Sequence, residues 1–243
     1  MPGTPRQRAR EQTLEDITRI GRTQLVEVGA AALSLRAVAR ELGVVSSAVY
    51  RYVANRDDLL TLLVVDAYTE LGDEVEAAVA AAGPAAIDRF AALAHAVRAW
   101  AVREPSRWAL LYGSPVPGYT APAKRTTAQG TRVITLFARI MDDAWQAGDL
   151  ADSALAGGDG TAPGGLAPDY ERIRNQLSLS VPDEVIAATV QAWSALFGAV
   201  SFEVFGQYGT DTFTDLDALY DYTVERLSAQ LGLRAGVVHK AHK

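Results

Sequence analysis

The fold is decided by residues 34–56, which read SLRAVARELGVVSSAVYRYVANR. The first half of this stretch places apolar side chains three and four residues apart, at Leu35, Val38, Ala39 and Leu42. The spacing gives a one-sided apolar stripe and predicts a short amphipathic helix. Ser34 stands directly before the stripe, where its hydroxyl can accept a hydrogen bond from a backbone N–H of the first turn. We therefore predict that a helix begins near residue 35.

A turn and a second short helix are predicted to follow. Gly43 can adopt the left-handed conformation that ends a helix, because it has no Cβ. The second apolar stripe consists of Val45, Ala48, Val49 and Tyr52. The opposite face carries Ser46, Ser47, Tyr50 and Arg51. Two short helices joined by a glycine turn form a helix-turn-helix unit, and these polar side chains suit a surface that contacts phosphates and base edges.

The composition is that of a globular protein, with 49% hydrophobic and 21% charged residues in a chain of 243. This length suffices for one large or two small domains with a sizeable core. No apolar run reaches the roughly 18 residues that a membrane span needs, so we expect no membrane partner. The arginine-rich start lacks the apolar segment of a secretory signal. The absence of cysteines excludes disulfides and thiolate metal sites and is compatible with a reducing cytoplasm.

The net charge of −6 argues against a nucleic-acid partner only when the chain is taken as a whole. Residues 1–60 contain nine basic and seven acidic residues, which gives a net charge of +2. The remaining residues contain 14 basic and 22 acidic residues, which gives −8. A small basic head on an acidic body can still present a positive face to DNA.

The sequence offers no convergent set of acid, base and nucleophile, so we expect a protein without enzymatic activity, cofactor or metal. The motifs HExxH and GxSxG and the glycine-rich phosphate loops are absent. Two of the three histidines, His239 and His242, lie in the last five residues. His95 stands alone on a predicted helix, where packing at the core edge is more common than a polar contact to a ligand.

The other helices follow from apolar periodicity, capping residues and breaks. They are predicted over residues 13–30, 56–82, 86–103, 105–112, 126–148, 183–208 and 215–231. With the helix-turn-helix this makes nine or ten helices and no strand. Residues 113–122 are predicted to form a loop, and the glycine-rich residues 149–169 a flexible insertion.

Residues 1–12 lack periodicity and contain two prolines and a glycine, so we predict a mobile tail. Arg6, Arg8 and Arg10 leave a second interpretation open, in which the tail is an arm along the phosphate backbone or in a minor groove. Of the two interpretations, solvated disorder is favoured.

The segments around the glycine turn resemble a known family. The sequence LSLRAVARELGV (33–44) is followed by Tyr-Arg-Tyr-Val (50–53) and by Asn-Arg-Asp-Asp-Leu-Leu (55–60), which opens a long helix. Over about residues 13–65 the chain resembles the N-terminal domain of TetR-type transcriptional regulators.

The resemblance implies an all-α fold with a helix-turn-helix DNA-binding head, residues 1–60, and an effector-binding and dimerisation body, residues 61–243. Carried over by position, the candidates for base-edge contacts are Arg36, Ser46, Ser47 and Arg51. The candidates for phosphate contacts are Ser34, Tyr50, Tyr52 and Arg56. The chain departs from many relatives at Val45, Ser47 and Val53, so the operator sequence does not carry over.

Aromatic residues of the body are candidates for an effector pocket. They are Trp100, Trp108, Tyr112, Phe137, Trp145, Trp193 and Phe197, and core packing alone would account for at least half of them. Helical sensor domains often leave an apolar cavity with a few polar groups on its wall, and the resemblance implies such a pocket. We expect Trp100, Trp108 and Tyr112 to form the wall. Further candidates are Phe137, Trp145, Trp193 and His95, and the few inward charges favour a small, largely apolar effector.

Residues 191–205, QAWSALFGAVSFEVF, are apolar on nearly all sides, with small residues along one side. A helix without a polar face is consistent with a central core helix. The resemblance implies a second interpretation, in which this helix and the last one form half of a four-helix interface between two copies. We favour the interface, because a single head would read too few bases.

The leading hypothesis is a cytoplasmic, homodimeric repressor that binds a palindromic duplex operator and leaves it when the effector binds. The alternative from another class is an all-α small-molecule-binding protein or enzyme with a vestigial helix-turn-helix. Salt-dependent duplex binding separates these two hypotheses. A transcriptional activator is a third possibility that the sequence leaves open.

Overall fold

The computed structural model describes residues 4–151 and 164–234, and within these ranges the chain is all-α, as predicted. Short 3-10 turns occupy Ala30–Ala32 and Gly164–Leu166. The described residues form eleven α-helices: α1 (Pro5–Val28), α2 (Leu35–Glu41), α3 (Ser46–Val49), α4 (Arg56–Ala81), α5 (Ala86–Arg103), α6 (Pro105–Tyr112), α7 (Ala123–Gly130), α8 (Arg132–Ala147), α9 (Ala167–Leu177), α10 (Asp183–Val204) and α11 (Leu216–Gln230).

Several helices have the predicted bounds. α4 begins at Arg56, and the Asn55 side chain caps it by accepting from the Asp58 amide over 2.9 Å. α5 and α6 have the predicted limits, and Pro105 occupies the first turn of α6, where its missing N–H is not needed. Capping residues and proline breaks therefore located these helix ends correctly.

The mobile tail predicted over residues 1–12 is wrong for the described part after Thr4, which forms the first two turns of α1. Thr4 and Gln7 make a reciprocal capping box. The Gln7 amide donates to Thr4 Oγ1 over 3.3 Å, and the Thr4 amide donates to Gln7 Oε1 over 2.9 Å. Pro5 adds the fixed φ that suits a first helical position. The segment has no apolar stripe, so apolar periodicity could not indicate that it is helical. Only the capping box marks the start of this helix.

The helix predicted over residues 126–148 is in fact two helices, α7 and α8, so the described residues hold eleven α-helices and not nine or ten. α7 begins earlier than predicted, after Pro122, whose carbonyl accepts from the amide of Thr126 over 3.1 Å. Gly130 and Thr131, both weak helix formers, separate the two helices.

α9 was not predicted, and it begins within the expected flexible insertion, residues 149–169. Pro168 lies in its first turn, and Asp169 places a negative charge at the positive end of the helix dipole. Residues 152–163 of the insertion, like residues 1–3 of the tail, lie outside the described residues.

The chain divides into two compact units. The first unit consists of the described residues of Met1–Glu70 together with Glu104–Gly130, and the second of those of Leu71–Arg103 and Thr131–Lys243. These bounds differ from those of the predicted head and body. Compact packing does not by itself test where an independently folding domain ends, so the two domains stay a prediction.

In the first unit, a hydrophobic core joins α1, α2, α3 and α4. Its buried members are Ile17, Ile20, Leu33, Leu35, Val38, Ala39, Val49, Val53, Leu59, Leu60 and Leu63. Leu42, Tyr52 and Tyr119 pack partly buried against it. The predicted inward stripe of α2 is thereby confirmed.

α1 and α4 approach closely because residue 21 is glycine. A Cβ added at Gly21 would lie 3.1 Å from Leu63 Cδ2 and 3.4 Å from Leu59 Cδ1, so a larger side chain would force the leucines to shift. One residue further along α1, Arg22 donates from Nε and Nη2 to the two oxygens of Asp66, over 2.8 and 2.7 Å. An apolar contact and an ion pair together hold α1 against α4.

α6 joins the same ionic network. The side chain of Arg107 is only 3% exposed, and it donates to Glu70 over 2.6 Å and to Asp66 over 3.0 Å. Arg22 shares both carboxylates, with Nη2 3.0 Å from Glu70 Oε2. The hydrogen bond to Asp66 is the main cause that raises the pKa of Arg22 above its usual value. Two carboxylates on α4 thus link α1 and α6 in the first unit.

In the second unit, α5, α8, α10 and α11 surround another apolar core. Its largest fully buried side chains include Phe90, Leu93, Trp100, Phe137 and Ile140. The rings of Phe90 and Phe137 lie 5.0 Å apart between centroids. Tyr220 donates its buried hydroxyl to the Ala94 carbonyl over 2.8 Å, which fixes α11 against α5.

A buried carboxylate fixes the segment before α10. Asp142 on α8 is 6% exposed, and its Oδ1 accepts from Ser180 N, Ser180 Oγ and Val181 N over 2.6, 2.9 and 3.1 Å. Its Oδ2 accepts from Gln146 over 2.6 Å. The carboxylate is therefore the acceptor for two backbone amides that precede α10.

Replacing this carboxylate should destabilise the fold. Asp142→Ala removes the acceptor from these donors, and leaving buried donors unsatisfied should cost about 2–4 kcal/mol of unfolding free energy. Urea unfolding followed by circular dichroism measures the loss. The matched control is Asp143→Ala, because Asp143 forms an exposed ion pair with Arg89 and such pairs contribute about 1 kcal/mol or less. Equal losses for the two variants would contradict the anchoring role of Asp142.

Candidate nucleic-acid interface

α2 and α3 form the predicted helix-turn-helix. Ser34 caps α2, with its Oγ accepting from the Ala37 amide over 3.4 Å. Gly43 closes the turn with a φ of 70°, a left-handed conformation that glycine adopts without strain. The Ser34 amide donates to Gln24 Oε1 over 3.0 Å. The start of α2 is therefore positioned directly by α1.

α3 is a single turn, and Val45 is its N-terminal flanking residue. The backbone of Val45 is extended and its side chain is 71% exposed, so the prediction of Val45 as an inward residue is wrong. Val45 precedes the helix, and a residue with extended backbone does not follow the helical period. The apolar stripe of α3 therefore does not include it. The buried residues of this segment are Val49 and Val53.

The outward side of the helix-turn-helix carries the predicted polar residues. Ser47, Tyr50 and Arg51 are exposed, and Ser46 is partly exposed. Arg36 is exposed on α2. Hydroxyl and guanidinium groups are among those that read base edges in a major groove and bind phosphates. The surface therefore has the chemistry that DNA recognition requires.

Tyr52 lies at the border between the core and solvent. Its ring packs partly buried against the core of the first unit, and the guanidinium of Arg10 lies 5.2 Å from the ring centroid. This distance is within the range of a cation–π contact. The first turns of α1 consequently lie next to the segment that follows α3.

Arg56 has a structural role that the sequence did not indicate. Its Nη2 donates to the carbonyls of Ala30 and Ala31 over 2.9 and 3.0 Å. Its Nη1 lies 3.6 Å from Asp57 Oδ1. The side chain ties the start of α4 to the 3-10 turn before α2, so any phosphate contact by Arg56 must use the donors that these bonds leave.

The arginines of the first unit form two groups. Five pair with carboxylates of described residues: Arg19, Arg22, Arg56, Arg107 and Arg125. Six are exposed and make no ion pair with a described residue: Arg6, Arg8, Arg10, Arg36, Arg40 and Arg51. The second group is confined to the start of α1 and to the helix-turn-helix. Exposed guanidinium groups without a carboxylate are available to bind phosphates.

Four members of the second group are not among the predicted DNA-binding residues: Arg6, Arg8, Arg10 and Arg40. Arg40 lies four residues after Arg36 and therefore on the same side of α2, a spacing that the sequence already contained. Arg6, Arg8 and Arg10 were predicted to lie in a mobile tail, with a DNA-binding arm as the second interpretation, and only the capping box of α1 could have indicated their helical positions.

Two of the predicted effector residues, Trp108 and Tyr112, lie in the first unit. Trp108 is fully buried, and its ring lies 4.5 Å from that of Tyr112. Tyr68 meets Tyr112 edge to face at 6.1 Å. Burial raises the pKa of Tyr112 far above its usual value, so its phenol stays a neutral hydrogen-bonding group at physiological pH.

The other five predicted effector residues lie in the second unit, in different surroundings. Trp100 and Phe137 are fully buried, whereas Trp145 is exposed. Trp193 stacks on Phe197 with ring centroids 3.8 Å apart. His95 is half exposed, with Nε2 3.7 Å from Asp221 Oδ1. Their contacts with an effector stay a prediction.

One apolar side of α10 is left uncovered by the residues that the structure describes. Val190 and Phe202 are exposed, the latter by 52%, and less than half of the most apolar part of the helix is buried. By length and composition alone, α10 meets the criterion for a membrane-spanning helix. Core helices of soluble proteins meet the same criterion, so this is weak evidence for a membrane.

The chain matches two family models. Residues 17–63 match the model for bacterial regulatory proteins of the tetR family, and residues 90–227 match the tetracyclin repressor-like C-terminal domain. The HTH-type transcriptional regulator Rv1816 of Mycobacterium tuberculosis is 48% identical over 227 residues, which are 93% of this chain and 95% of that protein.

Solved structures share the fold. The crystal structure of the regulatory protein SCO4313 is similar with a TM-score of 0.74 and 32% identity, over 93% of this chain and 100% of that chain. A TetR/AcrR-family regulator from Thermobifida fusca has a TM-score of 0.59 over 92% of this chain and 100% of its own. At 18% identity, this second likeness concerns the fold alone.

The role of Arg56 within the fold can be measured separately from any role in binding. Arg56→Ala should lower the unfolding free energy by about 1–3 kcal/mol, because two carbonyls lose a charged donor. Arg51→Ala is the control and should change it by about 0.5 kcal/mol or less, since the exposed Arg51 makes no ion pair with a described residue. Urea unfolding measures both variants. An Arg56→Ala protein as stable as the parent would contradict the structural role.

Proposed function

This chain belongs to the TetR family of bacterial transcriptional regulators, and we propose that it represses transcription as a homodimer bound to a palindromic duplex operator. A small, largely apolar effector releases it. The protein acts in the cytoplasm, where its DNA is, and uses no cofactor. We propose no enzymatic activity, because the curated relatives are named transcriptional regulators.

The observation that supports DNA binding best is the distribution of ion pairs. The chain has 29 acidic residues and a net charge of −6, yet Arg36, Arg40 and Arg51 on the helix-turn-helix make no ion pair with a described residue. Elsewhere in the first unit, arginines such as Arg22 and Arg107 are neutralised by carboxylates. Positive side chains without a carboxylate repel one another, and a polyanion relieves that repulsion.

Each predicted DNA-binding residue is given one kind of contact. Base edges are assigned to Arg36, Ser46, Ser47 and Arg51. Phosphates are assigned to Ser34, Tyr50, Tyr52 and Arg56. Two heads in a dimer would place their α3 helices in successive major grooves, about 34–36 Å apart.

Arg51 is the most direct test of base readout. Arg51→Ala should weaken binding to duplexes selected by the parent protein by about 1–3 kcal/mol and relax the base preference at one position of each half-site. Titration and repeated selection from a random-sequence library measure both effects. Arg125→Ala is the control, because Arg125 is already paired with Asp58 over 2.8 Å. If Arg51→Ala keeps both affinity and preference, Arg51 does not read a base.

The uncovered side of α10 supports a dimer. Small residues follow its exposed side, namely Ser194, Ala195 and Gly198, and Val190 and Phe202 extend the apolar surface. A Cβ added at Gly198 would have no neighbour within 4 Å, so this position is open in the isolated chain. Small residues allow a helix of a second copy to approach closely. We propose that α10 and α11 of each copy form the interface.

Gly198→Leu tests this interface without disturbing the single chain, where the added side chain has room. It should separate the two copies and produce monomers or aggregates, since overpacking a tight contact costs about 1–3 kcal/mol. Sedimentation velocity measures the oligomeric state. Ala80→Leu, at an exposed position of α4, is the matched control. An unchanged dimer with intact operator affinity would show that the contact is elsewhere.

The proposed effector residues are Trp100, Trp108, Tyr112, Phe137, Trp145, Trp193 and His95. Six of them are aromatic residues other than histidine, which suits an apolar or aromatic molecule that gains free energy by leaving water. The neutral phenol of Tyr112 can form a hydrogen bond with an uncharged polar group. Effector binding lowers operator affinity by favouring a dimer geometry in which the spacing of the two heads does not fit the operator. The size of this effect is limited by the difference between the effector's affinities for this geometry and for the DNA-binding geometry.

A further inference from the structure

We propose that the first two turns of α1 form a second DNA-contacting element, in which Arg6 and Arg10 bind the phosphate backbone beside the site that α3 reads. This inference rests on the proposed DNA binding by the helix-turn-helix. It extends the contact surface to a segment outside that motif.

Arg6 and Arg10 continue the inward stripe of α1. At about 100° per residue, both lie within about 20° of Ile17 around the helix axis. Ile17 is fully buried in the core of the first unit, and Gln24 is buried on the same line. Towards the N-terminus, the side of α1 that faces the core becomes cationic and exposed at these two residues. Here α1 extends beyond the hydrophobic core, and the side that is buried further along the helix carries exposed positive charges. Such a surface is suited to a negatively charged partner.

The contact between Arg10 and Tyr52 locates this extension. The Arg10 guanidinium lies 5.2 Å from the centroid of the Tyr52 ring, and Tyr52 follows α3 by three residues. Arg6 lies one turn before Arg10 on the same side of α1. The Arg10 guanidinium therefore lies beside the segment that carries the proposed base-reading residues, and Arg6 extends the same cationic side of α1 by one turn. Stacking also restricts the Arg10 side chain, so less conformational freedom is lost when it meets a phosphate.

The stability of α1 does not account for these charges. The N-terminal end of a helix is partially positive and disfavours cations, and α1 has no acidic residue in its first turn. Neither Arg6 nor Arg10 makes an ion pair with a described residue, although Glu11, Glu15 and Asp16 are close in sequence. Positive side chains at a helix end that disfavours them, without a carboxylate to neutralise them, are suited to bind a polyanion. Duplex DNA is the polyanion that the neighbouring helix-turn-helix is proposed to bind.

The test is the salt dependence of binding by the full-length chain to duplexes that the parent protein selects from a random-sequence library. The double variant Arg6→Ala and Arg10→Ala removes two phosphate contacts per copy. In a dimer this should make the slope of log affinity against log salt shallower by about 3.6, at about 0.9 per contact. Between 50 and 200 mM salt, the parent should lose roughly 100-fold more affinity than the variant. Alanine favours helix, so the first turns should remain folded.

Arg8 supplies the matched control, because it lies on the opposite side of α1 from Ile17. Arg8→Ala should keep the parental slope, and lysine at positions 6 and 10 should retain it because the charges remain. Base preference should be unchanged in all three variants. A parental slope in the double-alanine variant, or equal flattening by Arg8→Ala, would overturn the inference alone. A parent protein that selects no duplex would instead contradict the proposed function.

Discussion

The close contact between α1 and α4 at Gly21 determines where the DNA-facing groups of the first unit lie. Leu63 and Leu59 occupy the space that a side chain at residue 21 would need. With α1 fixed in this way, Gln24 accepts from the Ser34 amide and sets the start of α2. The same helix extends towards the N-terminus and places Arg10 over Tyr52. One glycine contact therefore positions both the helix-turn-helix and the cationic start of α1.

Charge is distributed according to the same architecture. Carboxylates on α4, Asp66 and Glu70, neutralise Arg22 and Arg107, whose positions serve packing among α1, α4 and α6. In the first unit, the arginines that make no ion pair with a described residue lie on the helix-turn-helix and at the start of α1, where a partner can reach them. A chain with a net charge of −6 can bind DNA in this way, because its acidic residues neutralise the arginines that pack and leave the others exposed. Net charge alone would have suggested a different partner.

Apolar periodicity, capping residues and turn residues predicted most of the fold. They failed where a helical segment has no apolar stripe, as at the start of α1, and where one predicted helix is in fact two, as for α7 and α8. The cap at Ser34, the turn at Gly43 and the start of α4 were correct because each depends on neighbouring residues in the sequence. The start of α1 was missed because only a polar capping box marks it. The exposure of the polar residues on the helix-turn-helix was predictable from their positions relative to the apolar stripes. Two contacts could not be predicted from the sequence, because both join segments that are distant in it. They are the hydrogen bond from Arg56 to the Ala30 carbonyl and the contact of Arg10 with the Tyr52 ring.

The central claim is that two copies of the helix-turn-helix read one duplex together. Selection of duplexes from a random-sequence library by the full-length protein tests it most directly. The account predicts enrichment of an inverted repeat whose half-site centres are about 10–10.5 base pairs apart, or a multiple of that spacing, with affinity that falls steeply as salt increases. Enrichment of no sequence, or of a single half-site without a symmetric partner, would contradict it.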